Sequence, residues 1–168
     1  MASMQELLPL AAALAERLKA RGETVAVSES SSGGLVSAAL LAVPGASAYF
    51  QGGAVVYTRK ARSSLLGITD REMLGMRSSS EPYAQLLAQT LRTRFGTHWG
   101  IAETGASGPS GNSYGDAAGH SCLAVSGPIS LVRTIETGHG DRVANMRSFA
   151  AALLALLDEA LDGASRHP

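Results

Sequence analysis

The sequence has little of several features that mark common protein classes. Its single cysteine, Cys122, excludes an internal disulfide and a cysteine-rich metal site. Acidic and basic side chains number 14 each, so no broad electrostatic surface for nucleic acid is expected. Glu, Arg, Gly or Pro interrupts every apolar run well before the ~20 residues that cross a bilayer. These absences argue against nucleic-acid and membrane partners, and we expect a cytoplasmic protein.

Lysine is also scarce, because only Lys19 and Lys60 carry an amine among the 14 cationic side chains. Arginine stays protonated in proteins and therefore cannot act as a general base. The four histidines show no paired spacing of the kind that metal ligands have. We therefore expect neither a metal nor an organic cofactor, and few residues are available to accept a proton.

The chain is long enough for one domain with a sizeable core. It has 168 residues, of which 45% are apolar, and single cores commonly take about 100–200 residues. We expect one domain over 1–168 with a core from about 5 to 162. The N-terminal Leu/Ala run lacks a basic segment before it, so it is interpreted as a helix rather than a signal peptide.

Predicted helices and strands alternate along the chain, and two strands follow each other near the end. β-branched runs predict strands at 24–28, 54–57, 99–103, 120–125 and 129–137. Helical spacing of apolar residues predicts helices at about 7–22, 35–43, 59–66, 81–95 and 141–161. This order predicts a three-layer α/β/α domain in which helices cover a mixed sheet.

A serine-rich segment directly follows the first predicted strand. The sequence SESSSGG at 28–34, here called the serine turn, opens the next helix. A serine at a strand end lies beside free amides of the helix N-terminus, which bind phosphate or stabilise an oxyanion. Such turns more commonly serve only as helix caps. Both interpretations stay open on spacing alone.

A second segment, TGASGPSG at 104–111, follows the third predicted strand and is here called the glycine loop. Its glycines allow the backbone to approach a ligand closely. It lacks the Gly-Lys-Ser/Thr of a phosphate-binding Walker loop and the dinucleotide fingerprint. Since ligands of α/β sheets bind beyond the carboxyl ends of strands, both segments are candidates for one site.

Several motifs together resemble the CinA C-terminal domain family. The stretch SESSSGGLVSAALLAVPGASAYFQGGAVVYTRKARSSLLGI is similar to that family's ESCTGG, PGSSAYF and GGVVTYSNEAKxxLLGV. The likeness continues through Ser80-Glu81, TGASGP against TGIAGP, and Gly140-Asp141-Arg142. The resemblance implies a CinA-type α/β fold and hydrolysis of the carboxamide of nicotinamide mononucleotide, giving nicotinate mononucleotide and ammonia. Because longer members carry an N-terminal partner domain, it also implies a stand-alone form.

The resemblance assigns roles to individual residues. Ser30 takes the place of the family's nucleophilic serine, and Tyr57 that of its tyrosine. The lysine that would pair with the serine is replaced by Arg62. The resemblance and the two segments together give this expected substrate-binding set: Ser31, Ser32, Gly33, Gly34, Thr104, Gly105, Ser107, Gly108 and Arg142. The amides around 31–34 are expected to hold the oxyanion.

The replacement of lysine by Arg62 leaves the general base open. Lys60 could replace it in an irregular turn, although on a regular helix it would point roughly 200° away from Arg62. Tyr57 could relay a proton, and His120 is a further candidate. The alternatives are another base, a deamidase for another amide, or a nucleotide-binding or regulatory domain that no longer hydrolyses.

Three further expectations concern the surroundings. Glu29 is expected to orient the serine turn by accepting backbone hydrogen bonds, and Asp141 to cap the last helix. Cys122 is expected to be a core thiol. The apolar stripe of the last helix belongs either to the core or to a dimer surface, and we expect a homo-oligomer that binds a small-molecule nucleotide.

Overall fold

The fold is described from a computed structural model, which describes residues 4–165. The sheet consists of β1 (Val25–Glu29), β2 (Phe50–Val55), β3 (Trp99–Ala106), β4 (His120–Ser126) and β5 (Leu131–Glu136). The helices are α1 (Leu8–Arg21), α2 (Leu35–Leu41), α3 (Arg59–Leu66), α4 (Glu81–Phe95) and α5 (Arg142–Ser165). Within this part of the chain, no helix combines the length and hydropathy that crossing a membrane requires.

The five strands form one mixed sheet in the order β2-β1-β3-β4-β5. β1 is parallel to both β2 and β3, with Ser28 opposite Ala54 and Ala102. β4 runs antiparallel to β3 and to β5. The carboxyl ends of β1 and β3 therefore lie side by side, and the serine turn and the glycine loop leave the sheet at the same edge.

Helices cover both faces of the sheet, which confirms the predicted three-layer α/β/α architecture. On one face α1, α2 and α5 pack against alternate strand residues such as Val27 and Ile101. On the other face α4 packs against their neighbours, Ala26 and Ala102. These strands are buried on both sides, as expected where parallel strands are covered by helices.

The structure moves two predicted strand boundaries. β2 begins at Phe50, so Gly52 and Gly53 lie inside the strand and not ahead of it. A Cβ at Gly53 would lie 2.4 Å from the Ser37 hydroxyl, and one at Gly52 would lie 2.9 Å from the Phe95 ring. These glycines let helices pack directly on the strand. β3 continues to Ala106, so the first residues of the glycine loop are strand residues.

Candidate active site

Ser30 lies at the carboxyl end of β1, beside a cavity of about 320 Å³ that is here called the Ser30 cavity. Its backbone amide donates to Glu103 Oε2 at 3.0 Å. Its hydroxyl has no hydrogen-bonding partner within residues 4–165, unlike those of Ser31 and Ser32. The side chain is partly exposed and lines the cavity. A hydroxyl held in this way is available to a ligand.

A fully buried carboxylate on the neighbouring strand anchors the serine turn. Glu103 accepts hydrogen bonds from the amides of Ser30 and Ser32, at 3.0 and 2.8 Å. It also accepts from the hydroxyls of Ser31 at 2.5 Å, Ser32 at 2.7 Å and Ser121 at 3.2 Å. Sequence reasoning missed this role, although an acidic residue ending an apolar strand was a usable signal.

A second buried carboxylate, that of Glu29, holds the start of α2. It accepts from the amides of Gly34, Val36 and Ser37 at 2.9–3.1 Å. The Ser32 hydroxyl lies 2.8 Å from Glu29 and 2.7 Å from Glu103, and its single hydrogen is donated to only one of them at a time. The contacts confirm the prediction that Glu29 orients the turn by accepting backbone hydrogen bonds.

These contacts engage three of the four amides expected to hold the oxyanion, and among the four the Ser31 amide alone has no hydrogen-bonding partner within residues 4–165. The amide of Ser32 donates to Glu103, that of Gly34 to Glu29, and that of Gly33 to the Ser30 carbonyl at 3.1 Å. Because two protein carboxylates already occupy the helix N-terminus, these amides have no donor left for a substrate. Ser32, Gly33 and Gly34 also do not line the Ser30 cavity, nor a second cavity beside the glycine loop that is described below.

Arg62 and Lys60 occupy different sides of α3. Arg62 is buried and lines the Ser30 cavity, where its Nε donates to the Ile68 carbonyl at 3.0 Å and its guanidinium pairs with Asp70. Lys60 is exposed and lines a neighbouring cavity together with Arg62 and Asp70, but it does not line the Ser30 cavity. Since α3 is a regular helix from Arg59, the irregular turn that would bring Lys60 to Ser30 is absent. The geometry gives no support to Lys60 as the base.

Tyr57 lies between the Ser30 cavity and a second cavity of about 270 Å³, here called the glycine-loop cavity. The guanidinium of Arg142 donates to the Tyr57 hydroxyl at 3.2 Å and also to the Gly108 carbonyl. The remaining predicted residues on this second cavity are Ser31, Gly105, Ser107 and Gly108. The structure thus brings together Ser30, Tyr57 and the glycine loop, with Arg142 as the link.

Asn145, which sequence reasoning missed, fixes the far side of the glycine loop. Its fully buried amide donates to the carbonyls of Ser107 at 2.8 Å and His139 at 2.9 Å. Its oxygen accepts from the Thr137 hydroxyl at 2.6 Å. An asparagine on an otherwise apolar helix face was the available signal, because buried amides need partners.

Ser79 forms the wall of the Ser30 cavity opposite the serine turn, in a left-handed conformation with a φ of 55°. Its amide donates to the Thr104 hydroxyl at 3.2 Å, and Thr104, which keeps its own hydrogen to donate, also lines the cavity. Its carbonyl faces His120 Nε2 at 2.9 Å, while His120 Nδ1 faces Glu136. A non-glycine residue with positive φ is uncommon and costs of order 1–3 kcal/mol, so these contacts over-determine it.

His120 does not line the Ser30 cavity, and it is buried between Ser79 and Glu136. Burial alone would lower the pKa of its imidazole. The hydrogen bonds with Glu136 and the Ser79 carbonyl, with the nearby charge of Asp116, outweigh burial and raise that pKa above its usual value. Both ring nitrogens face other groups of the wall, and the geometry does not support His120 as the base for Ser30.

Four other residues are placed as follows. Asp141 Oδ1 accepts from the Ala144 amide at 3.1 Å, which confirms the predicted cap of α5. Cys122 is a buried thiol, also as predicted. Asp116 pairs with Arg77, and this contact holds the pKa of Asp116 below its usual value. His139 is exposed and lines neither cavity.

Comparison with known proteins agrees with this architecture. Residues 7–161 match the family model described as the CinA C-terminal domain. A CinA-like protein of Gloeobacter violaceus is 41% identical over 119 residues, which are 71% of this chain and 28% of that protein. One from Anaeromyxobacter sp. strain K is 41% identical over 145 residues, 86% of this chain and 36% of that protein. The chain thus spans about a third of the length of these relatives.

Solved structures show the same fold. The competence-damaged protein (CinA) superfamily protein ECK1530/EC0983 from Escherichia coli superposes with a TM-score of 0.86 at 25% identity, covering 95% of this chain and 93% of that one. The competence/damage inducible protein CihA from Agrobacterium tumefaciens gives 0.85 at 26% identity, covering 93% and 95%. The family model covers most of the chain, and this chain belongs to the CinA C-terminal domain family.

Proposed function

We propose that this chain hydrolyses the carboxamide of nicotinamide mononucleotide, giving nicotinate mononucleotide and ammonia, with Ser30 as the nucleophile. One observation carries the proposal: the Ser30 hydroxyl, which has no hydrogen-bonding partner among the described residues, lines a cavity of about 320 Å³ beside Arg62, on a turn held by two buried carboxylates. A rigid turn keeps the nucleophile in one place, and such positioning lowers the barrier to attack.

The reaction has two steps. The Ser30 oxygen attacks the carboxamide carbon, and the C–N bond then breaks as the amine takes a proton and leaves as ammonia. Water next attacks the carbonyl carbon of the resulting ester, and the bond between that carbon and the Ser30 oxygen breaks. One proton of the water goes to the Ser30 oxygen, and the other is released as the product ionises to the carboxylate. The Arg62 guanidinium, which lines the same cavity, provides positive charge for the oxyanion of both steps.

Tyr57 is the proposed route for the proton. No lysine, histidine or carboxylate side chain lines the Ser30 cavity within residues 4–165, so only hydroxyl groups remain there to pass a proton on, and the resemblance points to that of Tyr57. The Tyr57 hydroxyl accepts from Arg142, which leaves its own hydrogen directed elsewhere. We propose that this hydrogen moves to the leaving amine while the Ser30 proton replaces it.

A second candidate function is binding of the nucleotide without hydrolysis. It is favoured by the engagement of Arg62 with Ile68 and Asp70 and by the lack of an ordinary base beside Ser30. In this form the protein would act as a nucleotide-dependent regulatory domain. Under either function, a cytoplasmic location and a homo-oligomeric state stay predictions.

Ammonia release and calorimetric binding, measured on the same preparations, test both functions. We expect the wild type to release ammonia from nicotinamide mononucleotide and Ser30→Ala to lose this activity while still binding the nucleotide. Ser64→Ala, an exposed serine on α3 outside the Ser30 cavity, is the matched control and keeps wild-type turnover. Binding with equal background ammonia from wild type and Ser30→Ala would overturn the hydrolase and favour the binding domain.

A further inference from the structure

Another cavity, of about 260 Å³, adjoins the Ser30 cavity on the side of α3 and is here called the arginine cavity. The two cavities share four lining residues: Arg59, Arg62, Ser78 and Tyr114. Arg77 also lines the arginine cavity, with its guanidinium 5.5 Å from the centre of the Tyr114 ring. One ligand can therefore extend from Ser30 into a region with three guanidinium groups.

The three arginines differ in what they already bind. Arg62 is paired with Asp70, and Arg77 makes two hydrogen bonds with Asp116 at 2.6 and 3.1 Å. The Arg59 side chain has no hydrogen bond or ion pair with any residue from 4 to 165. Paired guanidinium groups are partly neutralised and fixed, whereas an unpaired one keeps its full donor fork for an incoming anion.

We propose that Arg59 binds the phosphate group of the ligand and makes the site selective for phosphorylated over unphosphorylated nucleosides. This inference rests on the proposed substrate, whose carboxamide and phosphate lie at opposite ends of the molecule. With the carboxamide at Ser30, the phosphate enters the arginine cavity, where Arg59 supplies a bidentate contact and Arg77 adds positive charge.

The structure disfavours the other cations near Ser30 for this task. Arg142 is held by the Gly108 carbonyl and the Tyr57 hydroxyl, so binding a phosphate would require it to release the glycine loop. The helix N-terminus behind Ser30 is closed to anions by Glu29 and Glu103. Arg59 needs no rearrangement, and hydrogen bonds between charged groups contribute more than neutral ones.

Calorimetry with two matched ligands tests the inference. Ser30→Ala is used as the background, so that no turnover disturbs binding, and nicotinamide mononucleotide is compared with nicotinamide riboside, which lacks the phosphate. We expect Arg59→Gln to weaken the mononucleotide by about 10- to 100-fold and to leave the riboside unchanged. Arg71→Gln, an exposed arginine of the following segment that lines neither cavity, is the control and changes neither Kd.

Inorganic pyrophosphate is the second probe and separates this inference from the proposed function. If the protein binds pyrophosphate through Arg59 but does not bind nicotinamide mononucleotide, the substrate is wrong and the phosphate site stands. If Arg59→Gln weakened the affinity for the mononucleotide and for the riboside equally, the substitution would have a general effect on the cavity, and the inference would be overturned. It would also be overturned if Arg59→Gln left the binding of both phosphorylated probes unchanged.

Discussion

The serine turn and the first turn of α3 face the same cavity, but they differ in whether their positively charged or hydrogen-bond-donating groups are free to bind an anion. At the serine turn, the amides of a helix N-terminus donate hydrogen bonds to the protein's own carboxylates, Glu29 and Glu103. On α3, Arg59 presents a cation without a partner in the described chain. One side is therefore closed to an anionic group, and the other is open to it.

A phosphate-binding turn usually both supports the neighbouring residues and binds the anion, and in this protein different segments perform these two roles. A helix N-terminus binds an anion because its first amides lack partners. Here two glutamates provide those partners permanently, so the turn becomes a rigid support for Ser30. Recognition of charge passes to arginine side chains on the other side of the cavity. The comparison predicts that damage to the serine turn costs mainly stability, whereas damage at Arg59 costs mainly affinity.

The strongest test of the closed side is Glu103→Leu. Leucine removes the acceptor of the Ser30 and Ser32 amides and of the Ser31 and Ser121 hydroxyls, and it leaves the buried donors among them near an apolar side chain. An unsatisfied buried donor costs about 1–3 kcal/mol, so we expect the free energy of unfolding to fall by about 3–5 kcal/mol. Urea denaturation measures this loss.

Glu103→Gln is the matched variant, because its amide oxygen still accepts from the backbone and its nitrogen can donate to the Ser31 and Ser121 hydroxyls. We expect it to recover most of the stability lost in Glu103→Leu. A loss below about 1 kcal/mol in Glu103→Leu would contradict the view that this carboxylate holds the turn.

The glycine loop differs from the serine turn because a neutral side chain, the Asn145 amide, holds it instead of a buried carboxylate. Asn145→Asp keeps the shape of the side chain and the acceptor for Thr137. It removes the two hydrogen bonds that the amide donates to the carbonyls of Ser107 and His139. We expect a loss of about 2–3 kcal/mol in the free energy of unfolding, because a carboxylate then faces two carbonyls. Thermal unfolding of wild type and variant at one pH checks it, and equal midpoints would contradict the assigned role.

The sequence was sufficient for the fold and for one half of the site. Helical and alternating apolar spacing predicted five helices and five strands, and the serine turn and the glycine loop were predicted at one edge of the sheet, where the structure has them. The pairing of β1 with β3 could not be read from local spacing. Without that pairing, Glu103 has no visible relation to residues 30–32, about seventy positions earlier.

The donors and cations of the site illustrate the same limit. The motif correctly placed amides at the start of a helix, but it could not show that protein carboxylates would occupy them. Similarly, Arg59, Lys60 and Arg62 are all basic in the sequence, and only the partners in space separate a paired cation from an unpaired one. Local sequence gives the type of group, and tertiary contacts decide whether it is free.

The smallest predicted effect concerns the wall formed by Ser79, opposite the serine turn. Both ring nitrogens of His120 face acceptors, the Ser79 carbonyl and the Glu136 carboxylate, so the doubly protonated ring satisfies both contacts. Burial opposes the charge, but these partners raise the pKa of His120 above its usual value near 6.5. The cationic ring therefore stabilises the fold below the unfolded pKa, and this contribution is lost as the pH rises through the raised pKa.

We therefore expect the free energy of unfolding to fall with rising pH above neutrality, with a slope of at most about 1.4 kcal/mol per pH unit for this single proton. Glu136→Gln removes the carboxylate that raises the pKa of His120, so the fall should end at a lower pH and the total loss of stability should be smaller. His98→Gln is the control, because His98 is exposed and remote from Ser79, and its contact is with Thr24. Urea denaturation across this pH range measures the slopes. If Glu136→Gln left the profile in place, the wall beside Arg59 would not depend on the charge of His120, and its shape would have to come from the Thr104 contact alone.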